Sequence, residues 1–294
     1  MPATSTIARR SLALIAAVAV VSFVAAIGAG ASAAGSHVHG SYLALGDSVA
    51  FGYVPPDAAP APNYDDPHSF VGYPELLAGQ LHEHVANASC PGETTASMLD
   101  ASAQSNGCEN SLGSPVGYRT LYPLHEQYRG TQMQYALRYL ATHKHTRLVT
   151  IDIGANDAFL CEETTADQCA SPTEFAGVAA EITSNLGTIL HDLRAETHYR
   201  GPIVVLTYYS LSYSDSTQVE STQLLDAVIA GVATANGATV ADGFTAFAGP
   251  SLAAGGDPCA AGLLIKLPDG TCNIHPSRAG HQLLAAAIAQ AIGA

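Results

Sequence analysis

The feature that most constrains this chain is a set of short apolar runs that alternate with helix-patterned segments and stop at polar turns. Leu148-Val149-Thr150-Ile151-Asp152-Ile153 and Pro202-Ile203-Val204-Val205-Leu206-Thr207-Tyr208 are nearly continuous apolar stretches, the pattern of strands covered on both faces. Residues 41–45, 85–90 and 238–242 read as further strands. Between them lie segments with helical spacing at 73–84, 132–143, 173–199 and 218–236, a helix beginning near residue 96, and a closing helix over 278–292. Pro74 suits a first helical turn. Thr94 or Thr95, Thr173 and Ser277 suit N-caps, and Gly237 suits a helix end. Strands separated by helices predict a parallel sheet with helices on both faces. No internal repeat or second domain is visible, so residues 34–294 are expected to form a single domain. In such a sheet the strand ends near residues 45, 90 and 153 share one edge, the edge where open α/β sheets bind ligands.

The first 33 residues stand apart from this pattern. Arg9-Arg10 precedes an apolar run from Ser11 to Ile27, and Ala31-Ser32-Ala33 offers a small-x-small cleavage site. This is the organisation of a secretory signal peptide over residues 1–33. The run is short for a membrane span, so no stable membrane insertion is expected after cleavage. Paired arginines leave both general and twin-arginine export open. Cleavage would remove Arg9 and Arg10 and no acidic residue, taking the formal charge from −14 to −16. An acidic surface repels phosphate backbones, so nucleic acid is not an expected partner. The absence of Trp argues against an indole-based carbohydrate-binding module. With 48% hydrophobic and 12% charged residues, 294 positions suit one large globular domain, expected to be a monomer. His37 and His39 read as part of a solvated tail, and His82 and His84 as surface residues. Six cysteines follow residue 33, an even number that predicts disulfides in an exported chain. Proximity favours Cys90–Cys108, Cys161–Cys169 and Cys259–Cys272. No Cys-x-x-Cys spacing is present, and no metal site is expected.

Acyl transfer needs a nucleophile, a base within reach and donors aimed at a developing oxyanion. Gly46-Asp47-Ser48 ends the first strand, and a Ser there can present its hydroxyl above the sheet edge. His275, in Cys272-Asn273-Ile274-His275-Pro276, is expected in a loop before the last helix, with Pro276 fixing the backbone after it. Gly92 can bring a bare N–H close to a substrate, Asn156 can offer its side-chain NH₂, and the Ser48 N–H is a third donor. Simpler readings exist for each. Gly46-Asp47-Ser48 is also a common turn composition, and Asp47 suits a turn-stabilising role. Gly92 can serve only a positive φ. Asn156 and Asp157 can cap a turn, Asp152 and Asp242 can satisfy backbone donors, and His281 can be surface or packing. The chemical reading gains because one mechanism needs all four parts together.

In order along the chain, Gly46-Asp47-Ser48, the Gly92 loop, Gly154-x-Asn156-Asp157 and His275-Pro276 resemble the four blocks of the SGNH (GDSL-type) hydrolases, over residues 42–290. The resemblance implies an α/β, three-layer, flavodoxin-like fold with a central parallel sheet of about five strands, and serine esterase or lipase activity without a cofactor. By position it implies Ser48 as nucleophile, His275 as base, and Ser48, Gly92 and Asn156 as oxyanion donors. The six cysteines are similar to those of the three-disulfide secreted esterases and lipases of actinobacteria in that family. The sequence departs from the family at one place: the Asp expected three residues before the His is Cys272. Two groups are candidates to orient His275, the backbone carbonyl of Cys272 and the carboxylate of Asp269. The carbonyl is favoured, because a disulfide at Cys272 would hold the loop rigid. The expected substrate is a small-molecule or lipid carboxylic ester. Acetylated polysaccharide is the second reading, and a catalytically silent secreted binding protein is the rival outside enzymes. Segments 53–70 and 101–130 are expected to shape the cleft, with Phe51, Tyr53, Phe70, Tyr73 and Phe159 as apolar candidates.

Overall fold

The structure, a computed structural model, describes residues 40–294. The expected signal peptide at 1–33, and His37 and His39, lie outside the described residues. In chain order the elements are β1 (Ser41–Gly46), α1 (Ser48–Phe51), α2 (Tyr73–Leu81), β2 (His84–Asn87), α3 (Thr95–Leu99), α4 (Tyr118–Leu121), α5 (Gln132–Thr142) and β3 (Thr146–Asp152). Then follow α6 (Ala155–Thr164), α7 (Pro172–Ala195), β4 (Ile203–Leu206), α8 (Ser216–Ala235), β5 (Thr239–Ala241), α9 (Gly243–Ala253), β6 (Leu264–Lys266), β7 (Cys272–Pro276) and α10 (Arg278–Ile292).

Strands β1 to β5 form one parallel sheet in the order β2-β1-β3-β4-β5. This is the α/β fold expected from the strand–helix alternation. All four residues of β4 are buried, as are all of β1 except Ser41, which is why these strands read as apolar runs. Leu43, Leu45, Leu77, Ile151, Ile153 and Ile182 are fully buried in the main core. Each such side chain contributes about 1.5–3 kcal/mol relative to exposure. The helices pack in two groups. α10 contacts α2 and α9, while α7 contacts α3, α5, α6 and α8. After β1 the chain goes to β2 on one side, then crosses to β3 on the other. The C-terminal ends of β1 and β3 therefore flank a crevice at the point where strand order reverses, the place where such sheets present their chemistry.

Two local expectations are corrected. The cap of α7 is Ser171, whose Oγ accepts from Thr173 N at 3.3 Å, and not Thr173. Pro172 opens that helix, where its missing N–H leaves nothing unpaired. The segment around His275 is not a loop: β7 pairs antiparallel with β6 in a separate two-stranded sheet. Residues 155–164 and 243–253, to which the sequence pattern assigns no element, form helices. Disulfides join Cys90 to Cys108, Cys161 to Cys169 and Cys259 to Cys272.

Gly46 closes β1 with φ 142°. A Cβ at this position would lie 2.3 Å from Asp152 Oδ1 and 2.4 Å from Asp152 O. Gly46→Ala is therefore expected to lower the unfolding free energy by at least about 2 kcal/mol in urea titrations, through clash and backbone strain together. An unchanged midpoint would contradict this packing.

Candidate active site

Strand β1 ends at Gly46, and Asp47 caps the short helix that follows, its Oδ1 accepting from Val49 N at 2.8 Å. Ser48 is the first residue of that helix, whose opening N–H groups have no acceptor within the helix. The Asp47 cap is set in a buried polar network. Asp47 Oδ2 accepts from Tyr208 Oη at 2.6 Å. Asp152, at the end of β3, accepts from Tyr73 Oη at 2.9 Å and from Ala50 N at 3.2 Å. Burial pushes both carboxyls above the ordinary carboxylate range, and the adjacent Asp47 charge raises Asp152 further. Four groups from three strand ends and α2 thus hold the turn that carries Ser48. Asp47 and Asp152 serve the backbone in this way. Asp242 does the same for α9, accepting from Thr245 N at 2.8 Å.

Ser48 Oγ lies 2.8 Å from His275 Nε2. The other ring nitrogen, Nδ1, is 2.5 Å from Asn273 Oδ1, and the same oxygen accepts from the His275 backbone N–H at 3.1 Å. A backbone N–H can only donate, so the Asn273 atom facing it is the amide oxygen. The ring nitrogen facing that oxygen must then carry the proton, which leaves the Nε2 lone pair for the Ser48 hydroxyl. The local geometry explains why Asn273 fills this role and the expected groups do not. In a strand, side chains two residues apart share a face, and each residue advances the chain about 3.3 Å. Asn273 is two residues before His275. Cys272 is three before it, and its place in the hairpin is opposite Lys266. Asp269 lies in the hairpin turn, accepting from Thr271 N at 2.9 Å and Thr271 Oγ1 at 2.6 Å. Neither the Cys272 carbonyl nor Asp269 therefore orients the ring. The hairpin itself is pinned by Cys259–Cys272, by Tyr209 Oη on Ile274 O at 2.7 Å, and by Ser277 N on Leu263 O at 2.8 Å.

The remaining candidates lie beyond the ends of β2 and β3. Gly92 has φ 83°, and a Cβ there would lie 2.4 Å from Asn106 O. Both a left-handed backbone and close packing against the 106–107 segment thus demand glycine. Asn156 is buried in the first turn of α6, and its Oδ1 accepts from Asn106 Nδ2 at 3.2 Å. That contact occupies the oxygen and leaves the Nδ2 donors for another acceptor. Asn106 sits in a Gly/Ser/Asn-rich stretch with no sequence signal beyond loop composition. Asp157 does not cap a turn; its carboxylate accepts from Thr95 N at 3.0 Å and from Thr95 Oγ1 at 2.5 Å, tying α6 to α3. Burial raises the Asp157 carboxyl to about 7. His281 is buried on α10 with Nδ1 unpaired, and burial pushes it down to about 3, so it packs as a neutral ring.

The profile of the GDSL-like Lipase/Acylhydrolase family matches residues 44–283. The chain belongs to that family. Family membership implies esterase- or lipase-type hydrolysis. Similar solved structures include an acetylxylan esterase from Geobacillus stearothermophilus, at 17% identity and TM-score 0.52, with 87% of this chain and 94% of that one covered. A phospholipase A1 from Streptomyces albidoflavus NA297 aligns at 20% identity and TM-score 0.53, over 86% of this chain and 99% of that one. These likenesses show a shared fold. No curated protein sequence matches the chain.

Desolvation lowers the His275 ring to about 4. A neutral ring is the form that can accept the Ser48 proton, and that form is lost as pH falls through this value. kcat/KM for ester hydrolysis is thus expected to hold on the acid side until close to that value. Asn273→Asp would place a carboxylate against the ring and favour imidazolium, moving the acid limb upward by about 1 pH unit or more. Asp269→Asn should leave the profile unchanged. A limb that does not move in Asn273→Asp would contradict the assigned contact.

Proposed function

We propose that the protein is an exported, monomeric serine esterase of a single domain, residues 34–294, released from a signal peptide at 1–33. The three disulfides support export, and among the described residues no helix is long and apolar enough to cross a membrane. The observation that carries the reading is the relay Asn273 Oδ1 to His275 to Ser48 Oγ. His275 Nε2 takes the hydroxyl proton as Ser48 Oγ bonds to the ester carbonyl carbon. The carbonyl oxygen becomes an oxyanion, met by the Ser48 N–H, the Gly92 N–H and Asn156 Nδ2. Collapse breaks the ester C–O bond, and His275 gives its proton to the leaving alcohol. Water then attacks the acyl-enzyme, His275 takes a water proton, and Ser48 regains it as the acid leaves. A neutral amide stabilises imidazolium less than a carboxylate does, so the oxyanion donors carry more of the rate.

An apolar ester is the favoured substrate class. The Tyr53 ring lies 4.9 Å from the His275 ring, tilted against it, and continues into Tyr64, Phe70 and Tyr118. Of the other aromatic candidates, Phe51 and Phe70 are buried within that cluster and Tyr73 lies in the main core. The three disulfides also support placement in the secreted actinobacterial branch of the family.

A fluorophosphonate probe is expected to label the wild type and not Ser48→Ala, with hydrolysis lost in parallel by about 10³-fold or more. Medium- and long-chain 4-nitrophenyl esters are expected to be hydrolysed faster than acetylated xylan. A preference for acetylated xylan would assign the polysaccharide acetylesterase reading instead. An unlabelled wild type that still binds esters would make the protein a silent binder.

A further inference from the structure

Strands β1 and β2 run as a regular parallel pair up to Ala44 and Asn87. Ala88 N donates to Ala44 O at 2.9 Å, and Cys90 N donates to Gly46 O at 3.1 Å. The evenly spaced parallel pattern calls for one more bond between these two, from Gly46 N–H to Ala88 O. That bond is not made. Gly46 N–H donates instead to Gln132 Oε1 at 2.6 Å, and Ala88 O accepts from Tyr128 Oη at 2.9 Å. Both replacements come from the segment that opens α5. They form a wedge where the two strands part.

Gln132 is fully buried, and every polar position of its carboxamide is used. With Oε1 fixed by the Gly46 N–H, Nε2 is the donor. It reaches Gly46 O at 3.0 Å and Glu93 Oε2 at 2.9 Å. Gly46 lies two residues before Ser48, and Glu93 follows Gly92. Glu93 is itself fully buried, and its Oε1 accepts from Ser97 Oγ in the first turn of α3. The amide therefore joins the turn that carries the nucleophile to the loop that carries an oxyanion donor, at the place where the sheet no longer does so.

We infer that Gln132 is a positioning residue for ester hydrolysis, holding the Ser48 turn and the Gly92 loop in fixed register through Gly46 and Glu93. The inference rests on the proposed roles of Ser48 and Gly92. Catalytic constellations need their groups within about 0.5 Å of the productive geometry, and a displacement of about 1 Å can cost 10²-fold in rate.

The test compares Gln132→Met, Glu93→Met and Glu93→Gln with wild type on 4-nitrophenyl butyrate, with active sites counted by fluorophosphonate titration. Both Met variants cut the same bridge, one from each end, so either serves if the other does not fold. In each, kcat per titrated site is expected to fall about 10- to 100-fold with KM within about threefold. Glu93→Gln keeps an acceptor for Nε2 and is expected to recover most of the loss seen in Glu93→Met. A double Met variant should be little worse than either single one, because the two changes remove one connection. A purely structural role would lower the number of titratable sites and leave kcat per site unchanged, and that result overturns the inference alone. Activity retained in Ser48→Ala overturns it together with the reading beneath it.

Discussion

One hydrogen bond joins the two ends of this domain, from Ser48 to His275 across 227 positions of sequence at 2.8 Å. Most of what surrounds it serves to hold its two partners still. On the serine side, the turn is fixed by the Asp47 cap and by Asp152 reaching back from the neighbouring strand. On the histidine side, a two-stranded hairpin replaces the loop that composition suggests, and a disulfide ties it at Cys272, next to its turn. A loop-borne imidazole would sample many orientations; a strand-borne one has its facing fixed by the pleat. Asn273 then selects the tautomer through a side chain already aligned by the same pleat.

The polar groups beneath the crevice are costly to bury, which makes their pairing informative. Asp47, Asp152, Glu93 and Gln132 are buried almost completely, and an unpaired buried group of this kind costs about 1–3 kcal/mol. Each has its oxygen or nitrogen atoms directed at backbone groups, at tyrosine and serine hydroxyls, or, for Gln132 and Glu93, at one another. The network replaces hydrophobic packing in the one region where the sheet edge must remain open to substrate. It gives up some stability per residue in exchange for a single defined arrangement of the catalytic turn.

How much of this could be read in the sequence depended on the range of the interaction. The strands were legible because burial on both faces leaves an apolar run, as in Ile203–Leu206. Ser48, Gly92, Asn156 and His275 could be singled out as candidates because they sit at strand or helix boundaries marked by turn residues, and the structure brings Ser48 and His275 together. Asn273 was not, because its role follows from a two-residue strand period, and Cys-Asn-Ile-His-Pro alternates over only five residues and ends in a proline, which reads as a loop before a helix. Helix α9 was hidden by Pro250 and its glycines, and α6 by a sequence of mixed polarity. Asn106 and Gln132 act 50 and 86 positions away from their partners, and nothing local distinguishes them from other loop or helix-start amides.

The central claim is that Ser48, Gly92 and Asn156 converge on one oxygen while His275 stands behind the nucleophile. A crystal structure of the enzyme after reaction with a dialkyl fluorophosphate tests it most directly. The account predicts a phosphorus–oxygen bond at Ser48 Oγ, with one phosphoryl oxygen about 3 Å from Ser48 N, Gly92 N and Asn156 Nδ2 together. Phosphorylation at another residue, or a phosphoryl oxygen turned away from these donors, would contradict it.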